Sequence, residues 1–389
     1  MSGDFIVNLK KLYERNPLAI KIVHRIRDLA KKLKKEYDIV KVMDFCGTHE
    51  WTITHYGIRS LMPDNVELVA GPGCPVCITP AFYVDQLIKL SFEGVSVLTY
   101  GDAFRLRGTG VNGVYSLEEA KSAGGRVEVV YSVLDGIKLA LNDRSREYVF
   151  FAIGFETTMP STASPLARGT VSSNFSFKIA HRFTPPVVKY LFDNVKGTVI
   201  HGVIAPGHVS TIIGSRAWEF IARDYNVPVV VAGFEPLDVL IAIMEILKQL
   251  ITGKVRLYNE YNRVVRPEGN VEAKKLINKV FNVYDSLWRG IGVVPESGAL
   301  LKEEYASYDA NYRYGLKEPE NIDIRKEIPP GCKCHEIVLG LSKPTDCPLF
   351  MKKCTPQTPY GPCMVSIEGT CRIWAEHGGA ILLKSDVGI

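Results

Sequence analysis

Continuous runs of β-branched and aromatic residues, most of them followed by a helical stretch, constrain the fold of this chain most strongly. These runs do not alternate with polar residues, which is typical of parallel strands covered on both faces. The predicted strands are 39–45, 66–70, 95–100, 127–131, 148–153, 198–205 and 227–232. The predicted helices are 79–92, 117–123, 185–194, 210–225 and 237–251. The sequence therefore predicts an α/β protein.

The order of these elements predicts how the chain is divided. The strand–helix alternation indicates two tandem doubly wound α/β domains with mainly parallel sheets, at 41–145 and 146–255. Residues 1–40 form a helical segment, and one expectation is that it packs on the C-terminal domain. A helical connection at 256–325 and a small cysteine-rich domain at 326–389 complete the expected organisation.

Composition excludes several classes of protein. Hydrophobic residues make up 46% of the 389 residues and charged residues 23%, which excludes a disordered chain. A net charge of +5, evenly spread, does not favour nucleic-acid binding. No apolar run approaches the roughly 20 residues needed to cross a bilayer. The N-terminal residues lack an apolar signal core, so we expect a cytoplasmic protein without a membrane association.

Glycines and functional groups follow almost every predicted strand. The turns read CGTHE, GPGCPVC, YGD, GFETT, APGH and GFEP. Ligands of open parallel sheets bind at the carboxyl ends of the strands, so these turns predict one composite cleft. The candidate cleft residues are Glu50, Glu156, Glu235 and His208. For Glu156 and Glu235, N-capping of helices is the alternative. Neither a GxGxxG motif nor a Walker-type loop is present, which argues against nucleotide binding.

The nine cysteines are placed unevenly along the chain. Three lie between positions 46 and 77, six lie between positions 332 and 371, and none lies between these groups. Because no export signal is recognised, we expect a reducing compartment. Cysteines in such a compartment favour metal or redox chemistry over structural disulfides.

The N-terminal cysteines allow three interpretations. Cys46 and His49 belong to the CGTHE turn, and Cys74 and Cys77 form a CxxC just before a helix. Together they have the ligand types of a closed Cys₃His zinc site. Alternatively, His49 activates Cys46 as a nucleophile. The third interpretation is an open soft-metal site at Cys46 beside a redox dithiol, and spacing alone does not choose among the three.

The C-terminal cysteines provide more thiols than one iron–sulfur cluster needs. They are Cys332, Cys334, Cys347, Cys354, Cys363 and Cys371. A [4Fe-4S] cluster takes four thiolates, which leaves two thiols for a redox-active disulfide. Either Cys332 or Cys334 can be a ligand, because side chains at i and i+2 share a face only in extended chain. A pair of zinc sites with bridging thiolates is the alternative.

Taken together, the motifs resemble one known family. The stretches that carry the resemblance are CGTHE, IRSLMPDNVELVAGPGCPVC, GFETT, APGHVS, GFEP and KPTDCPLF, followed by GPCMVSIEGTC. In this order, from about Lys41 to Cys371, they resemble the HypD family of [NiFe]-hydrogenase maturation proteins. The resemblance implies two α/β domains plus a small C-terminal [4Fe-4S] domain. It also implies a scaffold on which Fe(CN)₂CO is built together with HypC and the cyanide donor HypE.

The resemblance gives roles to the N-terminal residues. It implies that Cys46 shares the iron, an Fe(II) with CN and CO ligands, with a cysteine of HypC. His49 is then a second essential polar group, and Cys74 with Cys77 is a redox pair. Glu50 stands where many relatives have threonine, which argues against a direct role for it.

The resemblance also divides the six C-terminal cysteines into cluster ligands and a disulfide pair. The implied cluster ligands are Cys332, Cys347, Cys354 and Cys371. The implied neighbouring disulfide joins Cys334 and Cys363. His335 follows Cys334 where we expect a small residue, which leaves open a histidine near the cluster.

These roles suggest a redox-active assembly scaffold rather than a turnover enzyme, monomeric until it forms complexes with HypC and HypE. In this hypothesis, the cluster and the Cys334/Cys363 pair recharge Cys74 and Cys77, which then support ligand delivery at Cys46. One competing class is a stand-alone iron–sulfur thiol–disulfide oxidoreductase. The other is a zinc-stapled binding module.

Overall fold

The computed structural model describes residues 16–197, 199–319 and 323–378. The strands are β1 (Val40–Asp44), β2 (Val66–Ala70), β3 (Ser96–Thr99), β4 (Val127–Val129), β5 (Tyr148–Gly154), β6 (Phe175–His181), β7 (Gly202–Ala205), β8 (Val229–Val231), β9 (Leu257–Asn259), β10 (Phe281–Trp288) and β11 (Gly292–Leu301). The helices are α1 (Pro17–Leu33), α2 (Gly47–His55), α3 (Ile58–Leu61), α4 (Ala81–Phe92), α5 (Gly101–Phe104), α6 (Leu117–Ser122), α7 (Val133–Asn142), α8 (Met159–Ala167), α9 (Thr184–Asn194), α10 (Gly207–Ile213), α11 (Glu219–Tyr225), α12 (Pro236–Thr252), α13 (Val271–Val280), α14 (Ala310–Tyr314), α15 (Ile324–Glu327), α16 (Cys334–Val338), α17 (Pro362–Val365) and α18 (Thr370–His377).

The strands form two parallel sheets and one antiparallel hairpin. The first sheet has the order β2–β1–β7–β8–β9 and the second the order β4–β3–β5–β6, while β10 pairs with β11. Every strand pair within the two larger sheets is parallel. The predicted α/β architecture with mainly parallel sheets is therefore confirmed.

The chain builds the five-stranded sheet in two separate passes. It first forms β1 and β2, then the whole four-stranded sheet, and returns with β7. β7 pairs beside β1, with Val42 opposite Gly202. The expected division into 41–145 and 146–255 is corrected by this pairing, because each range contributes strands to both sheets. Apolar runs locate a strand in sequence but do not identify its neighbour.

Strand β6 was missed because polar residues interrupt its apolar pattern. All seven of its residues are buried, including Ser176, Lys178 and His181. The Lys178 ammonium group donates to Gln86 Oε1 and Asn311 Oδ1, each at 2.6 Å. Such partners make the burial of a charged group tolerable. This strand extends the second sheet beyond what hydrophobic periodicity predicts.

Helix α1 packs on the five-stranded sheet. The Asn16 side chain caps the helix by accepting the Leu18 amide hydrogen at 2.9 Å. One face of the helix, including Ile26, is buried against α12 and shares an apolar core with β1 residues such as Val40. The expectation that the segment 1–40 packs on the C-terminal domain is thereby corrected for this helix, while residues 1–15 lie outside the described residues. The amphipathic pattern predicted the buried face but not its partner.

The region expected as a helical connection, 256–325, contains a long hairpin. α13 and α14 are helical as expected, but β10 and β11 lie between them and pair antiparallel. Trp288 is fully buried and its Nε1 donates to Ser297 Oγ at 2.8 Å. The hairpin packs on β6 and α9. Pro295 and Gly298 inside β11 hide this strand from a pattern search.

The cysteine-rich C-terminal segment packs into the main core. Its buried cysteines belong to the same apolar cluster as Met43 of the five-stranded sheet and Val149 of the four-stranded sheet. Helix α18 packs against α2, which begins directly after Cys46. The fold therefore brings the tail to the end of β1. In the described part of the chain, no helix is both long enough and apolar enough to span a membrane.

Candidate functional site

Cys46 lies where two turns and the tail meet. It lies two residues after the end of β1 and directly precedes the first turn of α2. A Cβ atom at Gly73 would lie 2.6 Å from the Cys46 amide nitrogen, so the GPGCPVC turn packs directly on Cys46. A Cβ atom at Gly47 would lie 2.7 Å from Glu368 Cβ, so the tail packs on the other side. Glycine at both positions permits this close approach.

The Cys46 thiol is protonated in the isolated chain. Burial raises its pKa to about 12, and the charge of Glu368 acts in the same direction. The backbone N–H groups of His49 and Thr48 oppose this shift, because they stabilise the thiolate at the start of α2. A thiol of this kind loses its proton when a metal cation replaces it.

Cys74 and Cys77 are joined by a disulfide, with their Cα atoms 5.4 Å apart. Both residues are buried and lie in the turn that leads to α4. In this oxidised state neither sulfur is a thiolate, so the Cys₃His zinc interpretation lacks two of its ligands. The arrangement instead presents a single thiol, Cys46, beside a CxxC pair.

His49 is a neutral imidazole of defined tautomer. Its Nε2 lies 2.9 Å from Gly233 O and 3.2 Å from Ala232 O, so Nε2 carries the hydrogen and donates it. Nδ1 is buried and has no hydrogen-bond partner within the described residues. Burial lowers the pKa of His49 to about 4. Because Nε2 is committed to these carbonyls, only the Nδ1 lone pair of the ring is available as a base.

Glu50 has a structural role in the arrangement observed. Its carboxylate accepts from Arg59 Nη2 and from Trp374 Nε1, each at 2.6 Å, and from Thr54 Oγ1 at 3.2 Å. Arg59 also lies over the Trp374 ring, 4.9 Å from its centroid. These contacts tie α2 to α3 and to α18 of the tail. All of the carboxylate's hydrogen bonds are therefore made within the protein.

Two of the other candidate cleft residues, Glu156 and Glu235, lie at the ends of helices. Glu156 accepts the Thr184 amide hydrogen at 2.7 Å and so caps α9, and burial raises its pKa to about 7. Glu235 is exposed and precedes α12, where its N–H donates to Asp238 at 3.2 Å. For both residues the structure shows helix-end contacts.

His208 is the cleft residue that lies near His49. Its ring stacks on Phe234 with 4.0 Å between centroids. Phe234 also contacts the ring of His49, with 4.8 Å between centroids. The turns after β7 and β8 thus form an aromatic stack beside the CGTHE turn, which places one exposed and one buried imidazole at the same sheet edge.

The six C-terminal thiols lie close together and are all buried. Cys332 Sγ and Cys334 Sγ are 3.2 Å apart. The Cys363 amide donates to Cys334 Sγ at 3.4 Å, and the Cys371 thiol interacts with both Cys334 and Cys363. Cys354 Sγ accepts two backbone N–H groups, each at 3.4 Å. Cys334 thus lies next to Cys363, and also next to Cys332 and Cys371.

This donor set has the type and number of ligands that an iron–sulfur cluster needs. Within the described residues, no three metal-ligating side chains are grouped so that they could hold one metal ion. A [4Fe-4S] cluster does not need such a group, because four cysteines serve its four irons. A Cβ atom at Gly361 would lie 2.5 Å from Cys332 Sγ, so only glycine leaves room beside these sulfurs. His335 Nδ1 is buried and unpartnered in the described chain.

Sequence reasoning missed two acidic residues near Cys46. Glu368 packs on Gly47, and burial, followed by the charge of Asp102, raises its pKa. Asp102 accepts from Ser366 Oγ at 2.8 Å, which holds the loop that carries Glu368. Both residues lie in motifs that the sequence singles out, the YGD turn and the EGTC tail.

Comparison with known proteins agrees with these motifs. The model of the HypD family, described as "Hydrogenase formation hypA family", matches residues 18–378. The chain belongs to the HypD family. The resemblance stated from the motifs is therefore confirmed.

Individual relatives match nearly the whole chain. A putative hydrogenase expression/formation protein of Methanocaldococcus jannaschii is 44% identical over 359 residues, which cover 92% of this chain and 97% of that protein. Hydrogenase maturation factor HypD2 of Bradyrhizobium diazoefficiens is 42% identical, with 90% and 93% covered. Hydrogenase maturation factor HypD of Escherichia coli strain K12 is 38% identical, with 94% and 96% covered. The similarity to HypD proteins thus includes both cysteine groups.

The contacts of Glu50 predict a large loss of stability when it is removed. We expect Glu50→Ala to reduce the free energy of unfolding by about 3–5 kcal/mol, because it takes the carboxylate away from the partly buried Arg59 cation and from the buried Trp374 Nε1–H. The measurement is urea denaturation followed by tryptophan fluorescence. Glu118→Ala, which breaks the exposed ion pair with Arg105, is the matched control and should cost less than about 1 kcal/mol. Equal losses in the two variants would contradict the structural role.

The neutral state of His49 predicts a pH dependence of stability. Its pKa is lowered from 6.5 to about 4, so between these values the unfolded chain binds a proton that the folded chain does not. Stability is therefore lost as the pH falls through this window. Between pH 7 and pH 5, we expect wild type to lose about 2 kcal/mol more than His49→Gln. Urea denaturation at both pH values tests this, and equal pH dependence in the two proteins would refute it.

Proposed function

We propose that this chain is a hydrogenase maturation factor that acts as a scaffold for building the Fe(CN)₂CO group, with HypC and HypE as partners. Membership of the HypD family supports the maturation role. The iron with its cyanide and CO ligands is the cargo in this proposal. HypC contributes a second thiol to the iron and HypE donates cyanide.

One observation carries the proposal. Three segments far apart in sequence meet here: the GPGCPVC turn packs on the backbone of Cys46, and the EGTC tail packs on Gly47 of the CGTHE turn. Gly47 and Gly73 make this packing possible, whereas a Cβ atom at either position would overlap its neighbour. A thiol whose pKa is raised by burial and by the charge of Glu368, in a turn that packs on the GPGCPVC turn, is in a chemically specialised environment.

Cys46 is suited to hold soft iron. Thiolates favour soft and borderline metals, and cyanide and CO bind low-spin Fe(II) strongly. Because burial keeps the thiol protonated, the proton leaves as the iron arrives. The N–H groups of Thr48 and His49 then stabilise the bound thiolate. The Glu368 carboxylate, which burial also keeps protonated more readily, is placed to exchange protons beside it.

His49 supplies a proton acceptor at a fixed atom. Nε2 is committed to the carbonyls of Ala232 and Gly233, which leaves the Nδ1 lone pair as the reactive position. After protonation, Nδ1 can donate a hydrogen bond to a cyanide nitrogen. Its low pKa means that this proton is held only while a negative group faces the ring.

Oxidation of the CxxC pair supplies the electrons that cyanide delivery consumes. Cleavage of a thiocyanate into thiol and cyanide consumes two electrons and one proton. Oxidation of the Cys74/Cys77 dithiol to the disulfide releases two electrons and two protons, so one proton is left over. The disulfide observed here corresponds to the oxidised state that follows such a step.

Reduction of this disulfide is the proposed task of the C-terminal thiols. When bound, a [4Fe-4S] cluster supplies electrons one at a time. Cys332, Cys347, Cys354 and Cys371 would hold it. The adjacent residues Cys334 and Cys363 form a second dithiol that can collect two electrons, consistent with the hydrogen bonds between them.

Burial of the CxxC pair argues against a stand-alone oxidoreductase. Cys74 is 4% exposed and Cys77 is 3% exposed, so a disulfide of another protein does not reach them in this state. The small cyanide group requires much less access. Metal analysis distinguishes a zinc-stapled binding module from the maturation scaffold and from the oxidoreductase.

Replacement of a tail thiol tests the iron–sulfur assignment. We expect anaerobically purified wild type to hold about four irons per chain with brown absorption, and Cys354→Ser to lose most of both. Cys363→Ser is the matched control, because the proposal places this buried cysteine outside the ligand set. Wild type that contains zinc instead of iron, or Cys354→Ser with an unchanged iron content, would disprove the assignment.

Replacement of Cys46 tests the cargo site. We expect Cys46→Ala, co-purified with HypC, to lack the infrared bands of bound cyanide and CO, because the thiolate that holds the iron is missing. Retention of the brown absorption in the same sample shows that the variant is folded. Cyanide and CO bands of wild-type intensity in Cys46→Ala would exclude this thiol as the ligand.

A further inference from the structure

Arg289 is a buried cation that neither the motifs nor the proposed reaction accounts for. It follows β10 directly, in the turn of the hairpin, and is 2% exposed. Its Nη1 is buried and has no hydrogen-bond partner among the described residues. Removing a guanidinium group from water costs several kcal/mol unless a negative charge faces it. The position of Arg289 therefore indicates an anionic neighbour.

The contacts of Arg289 place it between the two groups of cysteines. Its backbone N–H donates to Ile78 O at 2.8 Å, and Ile78 directly follows the Cys74–Cys77 disulfide. Its Nε donates to Glu327 O at 2.6 Å, at the end of α15. The next residue, Gly290, would carry a Cβ atom only 2.7 Å from His335 Cβ. The turn is thus pressed against α16, the helix that begins with Cys334.

A cavity and the surrounding charges support the same placement. Gly290, Cys332 and His335 line one cavity of about 210 Å³ beside the turn. Burial lowers the pKa of Arg289, while Glu327, and then Cys334 and Cys332, favour its charged form. Glu327 already accepts the Ala81 N–H at the start of α4. The anionic neighbours of the guanidinium therefore include the tail sulfurs of Cys334 and Cys332 as well as the Glu327 carboxylate, with Asp85 contributing less.

We propose that Arg289 is the fixed positive charge that stabilises the reduced state of the C-terminal sulfur centre. This inference rests on the proposed function, in which the tail thiols hold a [4Fe-4S] cluster. When a low-potential donor delivers one electron, the centre becomes one unit more negative, no bond breaks and no proton is taken up. A cation held in a poorly polarisable interior lowers the energy of that state more than that of the oxidised state. Arg289 accordingly raises the reduction potential, as a positioning residue rather than a catalytic one.

The test is a redox titration of the whole chain, purified anaerobically and reduced with dithionite. We expect Arg289→Met to lower the equilibrium constant for one-electron reduction at least tenfold, which is a shift of 59 mV to more negative potential. Arg289→Lys, which keeps the charge, should stay closer to wild type than to the methionine variant. A merely structural arginine would change stability and leave the potential of loaded protein unchanged.

A second variant covers the case in which Arg289→Met does not fold. Glu327→Gln keeps an acceptor for Ala81 but removes the negative charge nearest to Arg289, so the potential should shift in the opposite direction, to more positive values. An Arg289→Met protein with full iron content and the wild-type potential would overturn the inference about Arg289 and leave the proposed function intact. An unshifted potential in loaded Glu327→Gln would overturn it as well. If anaerobically purified wild type contained neither iron nor sulfide, the proposed cluster itself would be disproved.

Discussion

The buried carboxylate of Glu50 is the contact on which the geometry of the site depends. It lies one residue after His49 on α2 and bonds to Trp374 on α18, three residues after Cys371. One carboxylate therefore fixes the CGTHE turn relative to the cysteine-rich tail. The pairing with Arg59 compensates for the loss of water around both charges. Loosening it would affect both cysteine groups, because α2 begins directly after Cys46 and α18 carries Cys371.

The topology explains why residues so distant in sequence meet at Cys46. Parallel strands end at the same sheet edge, so the turn after β8 lies beside the turn after β1. The hydrogen bond from His49 to Gly233 spans 184 residues for this reason. Between these strands the chain builds the complete four-stranded sheet. The site is composite because the five-stranded sheet is assembled in two passes.

The sequence predicts the secondary-structure elements and the reactive side chains of this protein well. It predicts less well which of them lie next to each other in the fold. Strands such as Val66–Ala70 are recognisable because burial on both faces leaves an uninterrupted apolar run. The motifs also locate Cys46 and the CxxC at strand ends. Strand β6 is hidden because Lys178 is buried with its own partners, a compensation that appears only after folding. Glu368 is hidden for a similar reason, since its importance arises from contact with Gly47 rather than from its position in a pattern.

Burial contributes to a raised thiol pKa at Cys46 and at Cys332, one residue in each group. At Cys46, removal from water raises the pKa of the thiol, and the helix N–H groups offset only part of this effect. At Cys332, donation of its thiol hydrogen to Cys334 Sγ raises the pKa, and burial acts in the same direction. Thiols of this kind are poor nucleophiles and resist oxidation at neutral pH, because the thiolate is the reactive form. A soft cation reverses the balance, since it supplies the positive charge that the interior lacks. The same burial that protects the free thiols therefore makes them selective for a metal that binds thiolate strongly.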